Sequence, residues 1–386
     1  SLVGSEMCIR DSSAAELKAA GQVRKILVTG CLTQRYQQEI LTELPEVDGI
    51  MGTGSYGEIV SALAELMAGG RPCRFADIHG MIDEFDRVLT TPKHYAYLRI
   101  AEGCDNRCAY CVIPSLRGKF RSRTKESILE EARLLAASGV KELIIVAQDI
   151  TRYGIDLYGK VCLTELLKEL CKLDFRWVRL HYLYPELIDD ELIDEIASED
   201  KIVKYLDIPI QHINDTILRR MNRRGTGEEI RALFKKLRER IPGLVLRTSL
   251  ITGLPGEGEA EFEELCDFLR EAKIERAGVF PYSPEEGTPA ALMPDRCSTE
   301  EAQRRAELCM EIQAEIMDGF AETFIGRELD VLVMGREPDG TPWGRSEYDS
   351  PDIDSRVIFS GDAAPGDMVR VRIDSVDDGE LIGEQI

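Results

Sequence analysis

The 386-residue sequence lacks a long apolar run, a second pair of closely spaced cysteines and an excess of basic charge. Its longest apolar runs, such as "ELIIVA" before Gln148, fall far short of the roughly 20 residues that a membrane helix needs. No signal-peptide pattern is read at the start, where "SLVGSEMCIRDS" turns polar within a few residues. The expected location is therefore the cytoplasm. There the 11 cysteines meet a reducing environment, and clusters of them read as metal or redox sites rather than disulfides. With 48 basic and 70 acidic residues, the net charge is −22. Phosphate backbones are bound chiefly by Lys and Arg, so this balance weighs against nucleic acid as the direct substrate and favours a basic partner. Neither an internal repeat nor a low-complexity tract is present.

At 44% hydrophobic and 31% charged residues, the chain reads as globular, and it is long enough for two or three domains. Residues 1–90 read as an α/β segment and linker. "RKILVTG" is a strand, "YGEIVSALAELMAGG" is a helix with Ile59, Leu63 and Leu66 on its apolar face, and Pro92 breaks the linker. From Tyr95 to about Tyr282, strands alternate with helices. "AYLRIA", "ELIIVA", "WVRLHYL", "YLDIPI", "LVLRTSLIT" and "AGVFPY" predict a six-stranded parallel sheet, open or rolled into a partial barrel. Ligands gather at the carboxyl ends of such strands. A long polar helix over 298–323 follows. After Gly326, the short alternating strands "ELDVLVM", "SRVIFSG" and "DMVRVRIDSV" predict a small β-barrel.

"EGCDNRCAYCVIP" holds Cys104, Cys108 and Cys111 directly after the first strand of this series. Buried structural thiols would suit Cys73, Cys162, Cys171, Cys266, Cys297 and Cys309, which stand singly among apolar or helical neighbours. They do not suit a loop with glycine, asparagine and arginine between three thiols. A structural zinc site closes with four ligands, usually two separated pairs, and no second pair follows. An iron–sulfur cube held by three thiolates leaves one iron open to a non-protein ligand.

With CxxxCxxC after the first strand, the sequence resembles the radical S-adenosylmethionine enzymes. Further stretches, "LRIAEGCDNRCAYCVIPSLRGKFRSR", "VAQDITRYGIDLYGK", "RLHYLYP", "LDIPIQH" and "GRSEYDSPDID", resemble the methylthiotransferases of that superfamily. They are most similar to the branch that modifies the β-carbon of an aspartate on ribosomal small-subunit protein twelve. The resemblance implies an incomplete N-terminal methylthiotransferase domain with linker (1–90), a TIM-like partial (β/α)6 radical domain (91–325) and an all-β TRAM barrel (326–386). It also implies two 4Fe–4S clusters, S-adenosylmethionine, and an electron donor such as a flavodoxin. In the family, S-adenosylmethionine on the open iron is cleaved to a 5′-deoxyadenosyl radical, so no side chain is the catalyst. One molecule of it methylates sulfur at the auxiliary cluster and a second makes the radical.

By the same resemblance, Cys104, Cys108 and Cys111 hold the radical cluster, Tyr110 contacts adenine, and Gly253, Leu254 and Pro255 of "TGLPGE" line the cofactor. Cys31 in "TGCLTQRY" resembles one of three auxiliary-cluster ligands. The segment expected to hold the other two has no counterpart, since "SLVGSEMCIRDS" does not resemble the family and Cys8 is not expected to be a ligand. The expectation is an N-terminally incomplete sequence. From position alone, Gln148 and Asp149 after the second strand can hold the cofactor, or they form a turn. Arg117, Lys119, Arg121, Arg123 and Lys125 alternate in "RGKFRSRTK", either as an anion site or as a solvated edge leading into a helix capped near Thr124. His181, Tyr182, Tyr184 and His212 follow later strands and are weaker candidates.

Between Gly326 and Ile386 there are 6 basic and 15 acidic residues, a net of −9. Such a barrel suits a basic protein better than RNA. The alternatives are a transfer-RNA adenosine methylthiotransferase and a non-enzymatic iron–sulfur protein that binds the ribosome. Cys108→Ala is expected to abolish both the visible absorption of a reconstituted cluster and reductive cleavage of S-adenosylmethionine. Persistence of both in an iron-loaded preparation would reject the ligand assignment.

Overall fold

The computed structural model describes residues 13–80 and 88–386, so Cys8 and the middle of the linker lie outside the described residues. The chain divides into two compact units. The first groups Ser1–Arg87 with Glu102–Arg107 and Cys111–Arg121; the second holds Val88–Ala101, Cys108–Tyr110 and Ser122–Ile386. No helix among the described residues is long and apolar enough to cross a membrane.

In the first unit, β1 (Leu27–Thr29), β2 (Gly49–Met51) and β3 (Cys73–Arg74) form a parallel sheet in that order. Leu27 pairs with Gly49 and Ile50 with Cys73. The connecting helices include α1 (Cys31–Tyr36), α2 (Gln38–Glu43) and α3 (Ile59–Met67). Ile40, Val47 and Ile50 make the core, with Val28, Leu32 and Phe75 against them. The apolar face expected for α3 is rotated. Ala62 and Leu66, four apart on one helix face, are buried, whereas Ile59 and Leu63, four apart on another, are exposed. A further helix of this unit, α4 (Ile113–Arg117), packs on α1.

The second unit carries the six expected strands: β4 (Tyr95–Arg99), β5 (Glu142–Val146), β6 (Trp177–Leu180), β7 (Ile202–Asp207), β8 (Val245–Thr252) and β9 (Arg276–Pro281). They pair in parallel in sequential order, as right-handed strand–helix–strand crossovers produce. The helices between them are started by side-chain caps. Thr124 accepts a hydrogen bond from the Ser127 amide, and Thr226 and Glu229 form a reciprocal capping box. The third strand is shorter than "WVRLHYL" suggests: it stops at Leu180, and Tyr182 has φ +63°, which ends extended pairing. The fourth starts earlier than "YLDIPI", at Ile202.

Two further sequence expectations are corrected. Cys266 and Cys309 do not stand singly: the facing helices Glu259–Ala272 and Thr299–Glu322 bring their buried Sγ atoms to 3.9 Å. Cys73 is exposed and Cys297 half-buried, so neither is a core thiol. "RGKFRSRTK" is not a uniformly solvated edge, because Arg123 is buried and donates to the Arg99 carbonyl at 2.8 Å and to Glu131 at 2.6 Å. The helix it enters is capped by Thr124 as expected.

The C-terminal barrel closes with five strands: β10 (Glu328–Arg336), β11 (Pro342–Ser346), β12 (Val357–Ser360), β13 (Met368–Asp377) and β14 (Glu380–Gln385). Of these, β11 and β14 do not belong to the alternating runs read from the sequence. Leu329, Val331, Val333, Val357, Phe359, Val371, Ile373 and Leu381 fill the barrel. It seats on the amino ends of the parallel strands, where Trp177, Val203, Tyr205 and Val245 pack with Leu332.

A buried charge network accompanies that seating. Glu142, at the start of β5, accepts from Arg179 Nε at 2.7 Å and from Arg345 Nη2 of β11 at 2.5 Å. The loop after β11 inserts its polar atoms among the strands: Asp349 pairs with Arg276 at 2.7 Å and Asp354 accepts from the Tyr205 hydroxyl at 2.7 Å. Ser350 Oγ lies 3.1 Å from His181 Nε2, whose ring stacks on Tyr205. His181, a sequence candidate for the reactive site, is thus held in this packing. Burial would raise the Glu142 carboxyl, but Arg345 and Arg179 outweigh it and hold the group down at about 2.

Two outcomes are expected. Glu142→Gln leaves two buried guanidinium groups without their carboxylate and is expected to destabilise this unit by about 3–5 kcal/mol in urea unfolding; a loss below about 1 kcal/mol would contradict the network's role. Burial, with Arg179 next, pushes His181 down to about 3 from its ordinary 6.5. The unfolded chain therefore takes up this proton first, and stability falls as pH drops from 6.5 toward 3. Between pH 7 and pH 5 the contribution is about 2 kcal/mol. His181→Asn should flatten that stretch of the unfolding profile, and an unchanged slope would count against it.

Candidate functional site

The three-cysteine loop follows β4, leaving that strand at its carboxyl end. Gly103 has φ +81°, and a Cβ there would lie 2.2 Å from the Lys119 carbonyl oxygen, so only glycine fits that turn. Arg107 also adopts a left-handed backbone, with φ +52°. In the first unit, the Cys104 amide donates to the Gly118 carbonyl at 3.2 Å and Asp105 accepts from the Phe120 amide at 3.2 Å. Cys104 and Cys108 are buried and Cys111 half-buried. All ten described cysteines carry thiols rather than disulfides.

Cys108, in the second unit, is met from two sides. The Tyr184 hydroxyl lies 3.7 Å from its sulfur, and Arg223 Nη1 donates to it at 3.8 Å. Arg223 covers the Tyr184 ring at 4.5 Å and donates through Nη2 to the Pro209 carbonyl at 2.6 Å. Burial opposes its charge, while Tyr110, Tyr184 and Cys108 outweigh that effect. Next along the loop, Ala109 is tied by its amide to Met221 and by its carbonyl to Ala290. Tyr110 packs on the cluster of Ala109, Ile217, Met221, Leu254, Tyr282 and Ala290. Two residues far apart in sequence, Tyr110 and Leu254, thus share one apolar wall.

The turn after β8 is built for close approach. Gly253 has φ +76°, and a Cβ on it would stand 2.4 Å from Ala302 Cβ. Its amide donates to Glu257 at 2.9 Å, and Pro255 is buried beside it. Glu257 also pairs with Arg305 at 2.9 Å and with His212 Nε2 at 3.4 Å. His212 Nδ1 accepts from the Asn214 amide at 3.0 Å, which leaves Nε2 facing the Glu257 carboxylate. This candidate therefore acts as a strut between the ends of β7 and β8.

Asp149 is buried and accepts from the Thr151 amide at 3.1 Å and hydroxyl at 2.5 Å, as its turn chemistry predicts. Gln148, half-buried, sits in the bend before it. Tyr182 is exposed. In the first unit, Cys31 opens α1 directly after Gly30, whose φ is +113°. Arg117 Nε donates to Cys31 Sγ at 3.1 Å, and the same side chain pairs with Glu102 at 3.2 Å. Burial works against the Arg117 charge, and Glu102 with Cys31 raises its pKa nonetheless.

Among the described residues, no three His, Cys, Asp or Glu side chains converge on a point that could hold a metal ion. The fit of an iron–sulfur cluster rests instead on donor chemistry: three thiols on one short loop, one of them facing a guanidinium, give soft anionic ligands with a compensating cation. Sequence reasoning missed Arg223 and Glu257, and it placed Arg117 in a candidate anion site without finding its partner Cys31. For Glu257 the glycine-rich turn was a usable signal, whereas Arg223 is separated from Cys108 by three strands of the sheet.

Residues 98–269 match the radical SAM superfamily and residues 325–386 the TRAM domain. Among solved structures, TsrM from Kitasatospora setae, a radical S-adenosylmethionine methyltransferase with tryptophan and a SAM analogue bound, aligns with a TM-score of 0.52. It covers 66% of this chain and 55% of its own at 14% identity, a likeness of fold alone. Similarity to curated proteins is much higher. Ribosomal protein uS12 methylthiotransferase RimO from Pelotomaculum thermopropionicum is 50% identical over 96% of this chain and 85% of its own. The RimO proteins of Geobacter sulfurreducens and Lachnoclostridium phytofermentans are 49% and 46% identical, each over 96% of this chain and 85% of their own. The chain belongs to the RimO family of radical S-adenosylmethionine methylthiotransferases.

Proposed function

We propose that this chain adds a methylthio group to the β-carbon of an aspartate in ribosomal protein uS12. The observation that carries this reading is the identity with RimO proteins over 96% of the chain, through both the radical domain and the TRAM barrel. Cys104, Cys108 and Cys111 would hold the 4Fe–4S cluster that binds S-adenosylmethionine, and Cys31 would serve the auxiliary cluster. Bound there, cluster and cofactor together supply a carbon radical able to remove hydrogen from an unactivated carbon.

The chain's own residues shape that site. Tyr110 and Leu254 form an apolar wall suited to a flat adenine, with Tyr282 adjoining. The turn at Gly253 and Pro255 lets backbone approach closely, and Glu257 with Arg305 keeps it rigid. Gln148 and Asp149 occupy the carboxyl end of β5, where a ribose or amino group would meet them. Segments 1–90, 91–325 and 326–386 correspond to the methylthiotransferase, radical and TRAM domains.

The barrel's net charge of −9, from 6 basic and 15 acidic residues, suits a basic ribosomal protein over an RNA backbone. A flavodoxin-type one-electron donor and a cytoplasmic location complete the reading.

The test supplies full-length, iron-reconstituted protein with S-adenosylmethionine, a low-potential reductant, and either uS12 or transfer RNA. Methylthio-aspartate on uS12, read by mass spectrometry, with unmodified RNA is the expected result. Modification of RNA alone would overturn the choice of substrate. Failure to form 5′-deoxyadenosine from a loaded cluster would favour a non-enzymatic binding role.

A further inference from the structure

Arg223 stands apart from the other deeply buried arginines. Arg179, Arg276, Arg305 and Arg345 each hold a carboxylate, at 2.7, 2.7, 2.9 and 2.5 Å. The hydrogen-bond acceptors of Arg223 are instead a backbone carbonyl and the Cys108 sulfur, and its face rests on the Tyr184 ring. The side chain is 7% exposed, and its Nε is buried without a hydrogen-bond partner. The Glu186 carboxylate feels its charge but is itself exposed. A buried cation without a bound carboxylate is costly unless an anion offsets it. The group within its reach that becomes anionic as a cluster ligand is the sulfur of Cys108.

We propose that Arg223, braced on Tyr184, is a positioning residue that sets the reduction potential of the iron–sulfur cluster held at Cys108. This rests on the assignment of Cys108 as a cluster ligand. A thiolate-ligated cluster becomes more negative when it gains an electron. A fixed cation donating N–H to a ligand sulfur, in a site shielded from water, favours that reduced state and raises the potential. The step concerned moves one electron from an external low-potential reductant to the cluster, with no bond made or broken. Arg223 thereby lets a donor of ordinary reducing strength supply the electron.

The experiment is a potentiometric titration with dithionite and mediators, followed by electron paramagnetic resonance, on the full chain loaded with iron and sulfide. Arg223→Gln is expected to keep the iron and sulfide content of the parent. Its one-electron reduction equilibrium should shift at least tenfold toward the oxidised form, a fall in midpoint of about 59 mV. Arg224→Gln, which removes the same charge from an exposed neighbour, should leave the midpoint in place. Tyr184→Phe should lower it by less. An unmoved midpoint in Arg223→Gln overturns the proposal, as does an equal shift in Arg224→Gln. Weakened S-adenosylmethionine binding with an unmoved midpoint overturns it too. Should Arg223→Gln not fold, Arg223→Met and Tyr184→Phe decide, and parental midpoints in both reject the proposal. Failure of the underlying assignment looks different: Cys108→Ala would then load a normal cluster.

Discussion

A carboxylate stripped of water, Glu142, organises the second unit. Alone, its burial would be prohibitive; between Arg179 and Arg345 it stays ionised. One guanidinium comes from the parallel sheet and the other from the C-terminal barrel, so the ion network forms only when the two are docked in one register. Apolar contact at Trp177, Tyr205 and Leu332 supplies area but little direction. The charged groups, joined by Asp349 and Asp354, supply the orientation.

That docking has a functional consequence. Six parallel strands in sequential order present two ends. With the barrel on the amino ends, the carboxyl ends are left uncovered by it, and the bend at Gln148 and Asp149 and the turn after β8 lie there. Rigidity at those ends comes from local devices: the His212–Glu257–Arg305 strut, and glycines at 103 and 253 where a Cβ would collide. In the first unit, two left-handed positions, Gly103 and Arg107, set the path of the cysteine loop.

Much of this was legible in the chain. Alternating β and α periods located all six parallel strands, because strand and helix patterns differ in period and each crossover needs its own helix. Where bounds slipped, a local backbone feature was responsible, as with Tyr182 ending β6. The face of α3 was misread because Ile59 and Leu63 are apolar, yet the buried face carries Ala62 and Leu66. In the barrel, β11 and β14 escaped notice because glycines at 344 and 383 interrupt their alternation. Each lies against a neighbouring strand's backbone, with Leu332 and Arg372 carbonyls 2.4 and 2.2 Å from where a Cβ would be.

The sequence by itself determined the family and singled out the three-cysteine loop, since the cysteine spacing, the glycine turn and the run of motifs are local and survive without coordinates. It could not show which groups surround those donors. Arg223 beside Cys108, Arg117 beside Cys31, and the Cys266–Cys309 approach join residues far apart in the chain. Only the folded backbone decides such neighbours, because helix packing and strand order, rather than spacing, bring them together. His181 shows the converse. Its position after a strand suggested chemistry, and tertiary packing against Tyr205 and Ser350 gave it a structural task, because a buried imidazole finds its partners in three dimensions.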